Sequence, residues 1–242
     1  MILPPPPPPL SLTEEPGADA PYRPATRDDL QASALEVAPR LLGARLSTLI
    51  DGRSVSVRIT EVEAYHGLGT GDVPDPGSHA RMGQTARNAT MWGEPGHLYV
   101  YLSHGIHSCV NVVTGPVGVA GGLLLRAGEV VAGQDVVEER RPTARTPRDF
   151  ARGPGRLGGA LGLRHPRHDG IDAIGAGAEW PPEQAGARAR LDLARTPVRE
   201  VSRGPRVGVA GVAGTSAFPW RFWITGDPTV SPFRAGRGAV EA

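Results

Sequence analysis

From Thr26 onward, apolar positions recur at helical spacing: Leu30, Ala34, Val37, Ala38 and Leu41, with Thr26 placed to cap the helix and Asp28 and Asp29 in its first turn. The period then changes to two. Arg45 to Ile50, a turn at Asp51-Gly52, and Arg53 to Tyr65 predict a hairpin, because Asp-Gly supplies the positive φ that a tight turn needs. In its second strand Val55, Val57 and Ile59 share one face, opposite Ser54, Ser56, Arg58 and Thr60, and strict alternation carries that inner face into Glu61, Glu63 and Tyr65. Two carboxylates thus arrive where burial is predicted, a costly arrangement unless they are paired, hydrogen-bonded or functional. The alternative is a bulge or strand end that turns them to solvent, and periodicity does not separate Glu61 from Glu63.

A Gly/Pro/Asp-rich loop is expected from Gly67 to Ser78, and further strands at His97 to Leu102, Ser108 to Val113, Gly122 to Ala127, Arg206 to Ala210 and Arg221 to Thr225. Short helices are expected near Gln134 to Arg140 and Leu157 to Leu163, and a Gly/Ala-rich insert around Ala173 to Ala187. Strands outnumber helices, which predicts a single α+β domain. The unbroken prolines Pro4 to Pro9 and the polar stretch from Glu14 to Pro24 predict a disordered tail over 1–25, leaving a folded domain over 26–235 and a C-terminal tail over 236–242.

Composition narrows the chemistry. The 242 residues suit one sizeable domain, and 33 Gly with 25 Pro call for plentiful loops and few long helices. A net charge of +1 does not announce a nucleic-acid partner, so the distribution of charge has to. The single Cys109 excludes an intramolecular disulfide and any multi-cysteine zinc site, and suits a reducing compartment. No apolar run has the length of a membrane span, and the N-terminus lacks the features of a signal peptide, so no membrane association is expected. All 26 basic residues are Arg, which excludes Schiff-base chemistry on a lysine.

Arg140 to Arg167 holds eight Arg against one acidic residue, Asp149. Within it Arg152-Gly153-Pro154-Gly155-Arg156 combines guanidinium groups with backbone amides, suited either to binding phosphates or to a plain solvated loop. His97, His104 and His107 cluster in sequence, but 104 and 107 point to opposite faces of a strand and no carboxylate is near, so no metal site is expected.

One ordered series remains: Arg58-Ile59-Thr60-Glu61-Val62-Glu63-Ala64-Tyr65, Ser78-His79-Ala80, Gln84-Thr85-Ala86-Arg87-Asn88, Pro95 to Tyr101, Cys109-Val110-Asn111 and Leu124-Leu125-Arg126-Ala127. In this order and at these separations it closely resembles the alkyladenine (3-methyladenine) DNA glycosylase family, and the resemblance continues through Gly153 to Leu157 and Pro205 to Gly208 as far as Trp220 to Phe222. It implies a curved antiparallel β-sheet core with surrounding helices and no helix-hairpin-helix motif. It further implies a monofunctional enzyme that removes alkylated or deaminated purines from double-stranded DNA, as a monomer in a bacterial cytoplasm and nucleoid, with no cofactor. Glu63 matches the family's general base, Arg126 its partner, and the backbone of Val207 another contact to the water. Tyr65, His79 and Tyr101 match residues that hold the flipped base, and Asn111 an asparagine that clashes with the guanine 2-amino group. Thr85, Arg87, His104 and Ile106 are expected to contact DNA.

His104 departs from the family pattern, because better-known members carry an intercalating tyrosine before the glycine, and imidazole is a smaller plug. The small apolar stretch from Gly211 to Pro219 is a second departure, since relatives often carry charged residues there. Without Lys, β-elimination at an abasic site is left only the N-terminal amine, so no lyase activity is expected. The rival readings are a non-catalytic damage-binding protein on the same scaffold and a metal-dependent hydrolase using the histidines.

Overall fold

The Asp51-Gly52 turn forms as expected, with both residues at positive φ, and joins β2 (Arg45–Ile50) to β3 (Arg53–His66) in the computed structural model, which describes residues 21–67, 73–177 and 179–239. In chain order the other strands are β1 (Tyr22–Pro24), β4 (Leu98–Ser103), β5 (His107–Val113), β6 (Gly121–Ala132), β7 (Ala151–Arg152), β8 (Ala187–Ala194), β9 (Val201–Gly204) and β10 (Arg221–Ile224). All pair antiparallel in one sheet of order β1-β8-β2-β3-β6-β5-β4, with β10 and β9 joined to β3, and β7 to β6. The helices are α1 (Ala34–Leu41), α2 (Gln134–Arg140) and α3 (Pro154–Leu161). The α+β class and the antiparallel sheet are as expected.

β3 organises the sheet. One of its edges pairs with β6; the other pairs with β2 over Arg53 to Arg58 and with β10 over Glu61 to Glu63. Register shifts at Ile59/Glu61 and Glu61/Val62 mark the handover, and such irregularities bend and twist a strand. Both faces of β3 are covered from Ile59 to Ala64, so the carboxylates of this stretch are buried rather than turned to water.

α1 packs on β3 and β6, and α3 on β5, β6 and β7. The glycines of α3 allow a close approach: a Cβ on Gly155 would overlap the His107 ring, and one on Gly158 would overlap the Ser108 carbonyl. The N-terminal end of α3 is thereby held against β5.

Several expectations need correction. Thr26 does not cap the helix; its N–H and hydroxyl bond Asp29 at 2.9 and 2.8 Å, and Asp28–Leu30 make one separate 3-10 turn. Ser33 is the cap, in a reciprocal capping box with Glu36. Ser33→Ala should cost about 1 kcal/mol, seen in calorimetry as a fall in Tm of roughly 2–4 °C; an unchanged Tm would show that the box contributes nothing. Arg206 to Ala210 is not a strand: Pro205 has no N–H, Gly208 turns at φ 72°, and the Val207 N–H is bonded to a side chain instead of a ladder. The strand lies earlier, at β9. β8 was not expected at all, β6 runs five residues beyond the expected Ala127, and α3 starts at Pro154 rather than Leu157.

Of the expected N-terminal tail, positions 1–20 lie outside the described residues, whereas Tyr22–Pro24 pair with β8. Of the expected C-terminal tail, 240–242 lie outside them, and Arg237 accepts a hydrogen bond from the Gly211 N–H at 3.0 Å.

Candidate active site

The bend in β3 delivers Glu61 and Glu63 into the interior, both 0% exposed. Glu61 is fully used by the protein. Its Oε1 accepts from Arg221 Nε at 2.6 Å, lies 3.1 Å from Arg126 Nε, and accepts from the Ser231 hydroxyl at 3.0 Å; its Oε2 accepts from the Ser231 N–H at 2.7 Å. Glu63 accepts from the Val207 N–H at 2.7 Å on Oε1 and from the Tyr65 hydroxyl at 2.9 Å on Oε2, with Arg126 Nη1 3.5 Å away. Arg126 therefore bridges two buried carboxylates, and Arg221 balances the second negative charge. Only Glu63 of the pair opens on a cleft of about 1020 Å³. This separates the two carboxylates on geometry: one anchors β10 and the Ser231 segment, and the other is presented to whatever enters.

Aromatic side chains wall the cleft. Tyr99 and Tyr101, two residues apart on β4, project from the same face with ring centroids 5.4 Å apart, and the His79 ring meets Tyr101 edge-on at 4.7 Å. His79 Nδ1 lies 3.3 Å from the Tyr99 hydroxyl, in the direction set by the histidine tautomer. Burial, reinforced by Arg87 and Arg81, lowers the His79 pKa, so its imidazole is neutral at neutral pH. Burial pushes the Tyr99 hydroxyl up to about 12 and the Cys109 thiol up to about 11, leaving both protonated and the thiol unreactive. Burial, then the charge of Glu63, also raises Tyr65, whose hydroxyl keeps its proton and donates a hydrogen bond to Glu63. The Asn111 Nδ2 donates to the Tyr99 carbonyl at 3.1 Å; a carbonyl only accepts, so this bond fixes which way the amide faces.

Glu63, Arg126, Val207, Tyr65, His79, Tyr101, Asn111 and His104 all line this one cleft. The expected DNA contacts Thr85, Arg87 and Ile106 lie outside its lining. Ile106 is 73% exposed at the tip of the β4–β5 hairpin; Thr85 and Arg87 sit in the neighbouring turn. The tip is His104-Gly105-Ile106, with His104 at φ 51° and its Nδ1 3.0 Å from the Ser103 hydroxyl. Arg81, Arg141, Arg152, Arg156 and Arg234 line the cleft as well, so the Arg-rich segment delivers part of its charge to the mouth. Among the described residues, no group of three or more His, Cys, Asp or Glu is placed to hold a metal ion, and no helix is long and apolar enough to cross a membrane.

Sequence reasoning missed three supports. Tyr99 forms the floor of the aromatic wall. Arg221 and Ser231 hold Glu61. Arg206, which is 0% exposed, makes a bidentate pair with Asp75 at 2.7 and 2.8 Å and lies 4.5 Å from the Tyr65 ring centroid. Tyr99 carried a signal, as an aromatic alternating with Tyr101; the ion pairs join residues too far apart in sequence to carry one.

Comparisons with known proteins identify the family. Residues 28–228 match the family described as methylpurine-DNA glycosylase. A protein of Nocardia farcinica is 50% identical over 208 residues, covering 86% of this chain and 90% of its own length. Proteins of Leifsonia xyli and Streptomyces avermitilis are 48% and 45% identical, covering 86% and 89% of this chain and 92% and 95% of their own lengths. The names of all three carry the words 3-methyladenine DNA glycosylase. The chain belongs to the methylpurine-DNA glycosylase family.

Proposed function

We propose that this DNA glycosylase hydrolyses the N-glycosidic bond of alkylated or deaminated purines in duplex DNA, acting as a monomer on DNA of a bacterial cytoplasm and nucleoid. The observation that carries the reading is the buried Glu63 carboxylate, oriented by Val207, Tyr65 and Arg126 and opening on an aromatic-walled cleft with an arginine-lined mouth.

A base within a duplex is out of reach, so the nucleotide rotates into the cleft. Tyr65, Tyr101 and His79 hold the purine by stacking and edge contacts, and the guanidinium groups at the mouth neutralise phosphates. Glu63 takes a proton from a water whose oxygen bonds to C1′ as the bond from C1′ to the base nitrogen breaks, its electron pair leaving with the base. The carboxylate also stabilises the oxocarbenium character of that transition state. Arg126 and the Val207 N–H keep Glu63 in place. The Asn111 amide, fixed by the Tyr99 carbonyl, clashes with the 2-amino group of normal guanine and so disfavours the undamaged base. A cationic base such as 3-methyladenine leaves without protonation, whereas hypoxanthine or ethenoadenine demands more of the site. The reaction stops at the abasic site, since no lysine is present to open the sugar.

His104 is the plug for the space the nucleotide vacates, with Ile106, Thr85 and Arg87 contacting the surrounding DNA. His104→Tyr should therefore bind a duplex carrying an abasic-site analogue several-fold more tightly, on the order of 1 kcal/mol for a larger stacking surface; unchanged affinity in a titration would remove the plug role. The function itself is tested by chromatography of bases released from duplexes carrying 3-methyladenine, 7-methylguanine, hypoxanthine or ethenoadenine. Release of at least one, with the strand intact until hot alkali, is the expected result. Tight duplex binding with no release would favour instead a non-catalytic damage-binding protein.

A further inference from the structure

Beside the cleft, the chain from Ala80 to Asn88 forms a turn whose hydrogen bonds fix its shape. The Gly83 N–H donates to the Ala80 carbonyl at 3.0 Å. The buried Asn88 closes the loop: its Nδ2 donates to the carbonyls of His79 and Gly83 at 2.9 and 3.2 Å, and its Oδ1 accepts from the Thr85 N–H at 2.7 Å. Met82 stands outermost on this turn, 84% exposed, the most exposed large apolar side chain among the described residues. None of these bonds involves its side chain, so a polar residue would serve the turn equally well.

The turn leans on β4 at two points, the His79 ring against Tyr101 and the Arg87 guanidinium 3.5 Å from the Leu102 carbonyl. β4 runs directly into the hairpin tip that carries His104 and Ile106. Arg81, the neighbour of Met82, and His104 both line the same cleft. Two exposed apolar side chains, Met82 and Ile106, thus lie one and two residues from Arg81 and His104, which line a cleft that Arg141, Arg152, Arg156 and Arg234 line as well. Cations for phosphates with apolar side chains between them fit duplex DNA, whose base steps accept methionine and isoleucine wedges from the minor groove.

We propose that Met82 is a second wedge, entering the base stack beside the flipped nucleotide and supplying apolar contact that the small imidazole of His104 leaves unmade. The inference rests on the reading of duplex DNA as substrate. Its test is a binding titration of the full chain against a duplex carrying an abasic-site analogue and against the corresponding single strand. Met82→Ala and Met82→Gln should weaken duplex binding roughly tenfold, the loss of one buried apolar side chain, while Met82→Leu stays within about twofold because the two side chains are nearly interchangeable in volume. Single-strand binding should not change, and thermal melting should match wild type because the side chain is exposed. Duplex binding by Met82→Ala equal to wild type, or an equal loss on duplex and single strand, would overturn the wedge. A wild-type chain that binds this duplex but releases no base from duplexes carrying the damaged purines would remove the catalytic reading and leave the wedge standing, so the two fail separately.

Discussion

Asp75→Ala is expected to lower the melting temperature more than any single change at the surface. Asp75 and Arg206 are both buried, and among the described residues the guanidinium pairs with no other carboxylate; its further bonds there go to the carbonyls of Ala64 and Ala213. Burial opposes the charge on Arg206, but the hydrogen bonds it donates to Asp75 and the nearby groups Tyr65, Asp75 and Glu63 together outweigh that, so the Arg206 pKa is raised. Removing the carboxylate strands a cation in the interior, which costs about 3–5 kcal/mol. For a domain of this size that is a drop of roughly 6–20 °C. The same pair supports the site: Arg206 lies against the Tyr65 ring, Asp75 accepts from the His66 and Gly77 N–H groups, and the next residue, Val207, donates to Glu63. Combining Asp75→Val with Arg206→Met should recover much of the stability, since replacing both charges with apolar groups of similar volume is often close to neutral. A melting temperature for Asp75→Ala within about 2 °C of wild type would show that the pair contributes little.

How far the sequence reveals this depends on how local the physics is. The β2–β3 hairpin is legible because alternation and an Asp-Gly turn are local signals, and α2 because its pattern is compact. β8 is not, because its buried positions Ala187 and Ala189 are small and alternate with Arg188 and Arg190, so the period of two carries little apolar contrast. The segment after Pro205 misleads in the opposite way. Val207 and Val209 imitate a strand, but the Val207 N–H belongs to Glu63 and Gly208 turns the chain.

The candidate site divides along the same line. Alternation brings Glu61 and Glu63 to the interior but cannot rank them, and the resemblance chooses Glu63. The geometric reason lies in partners far along the chain, since Arg221 and Ser231 are 160 and 170 residues beyond Glu61. Tyr65, His79, Tyr101 and Asn111 come from four separate stretches, and only folding brings them to one cleft.

The second large effect concerns Glu63 itself. Gln has the shape of Glu and still accepts from the Val207 N–H, so Glu63→Gln should fold and bind DNA. What it loses is the negative charge opposite Arg126 and the capacity to take a proton. General-base catalysis contributes about 10²–10⁴-fold, so base release should slow by that factor. The decisive measurement is single-turnover release of 3-methyladenine from a damaged duplex by wild type and Glu63→Gln, with enzyme in excess so that binding is saturated. Release by wild type, with the variant slower by roughly 10²-fold or more at equal affinity for an abasic-analogue duplex, is the expected result; release by Glu63→Gln at the wild-type rate would contradict the mechanism.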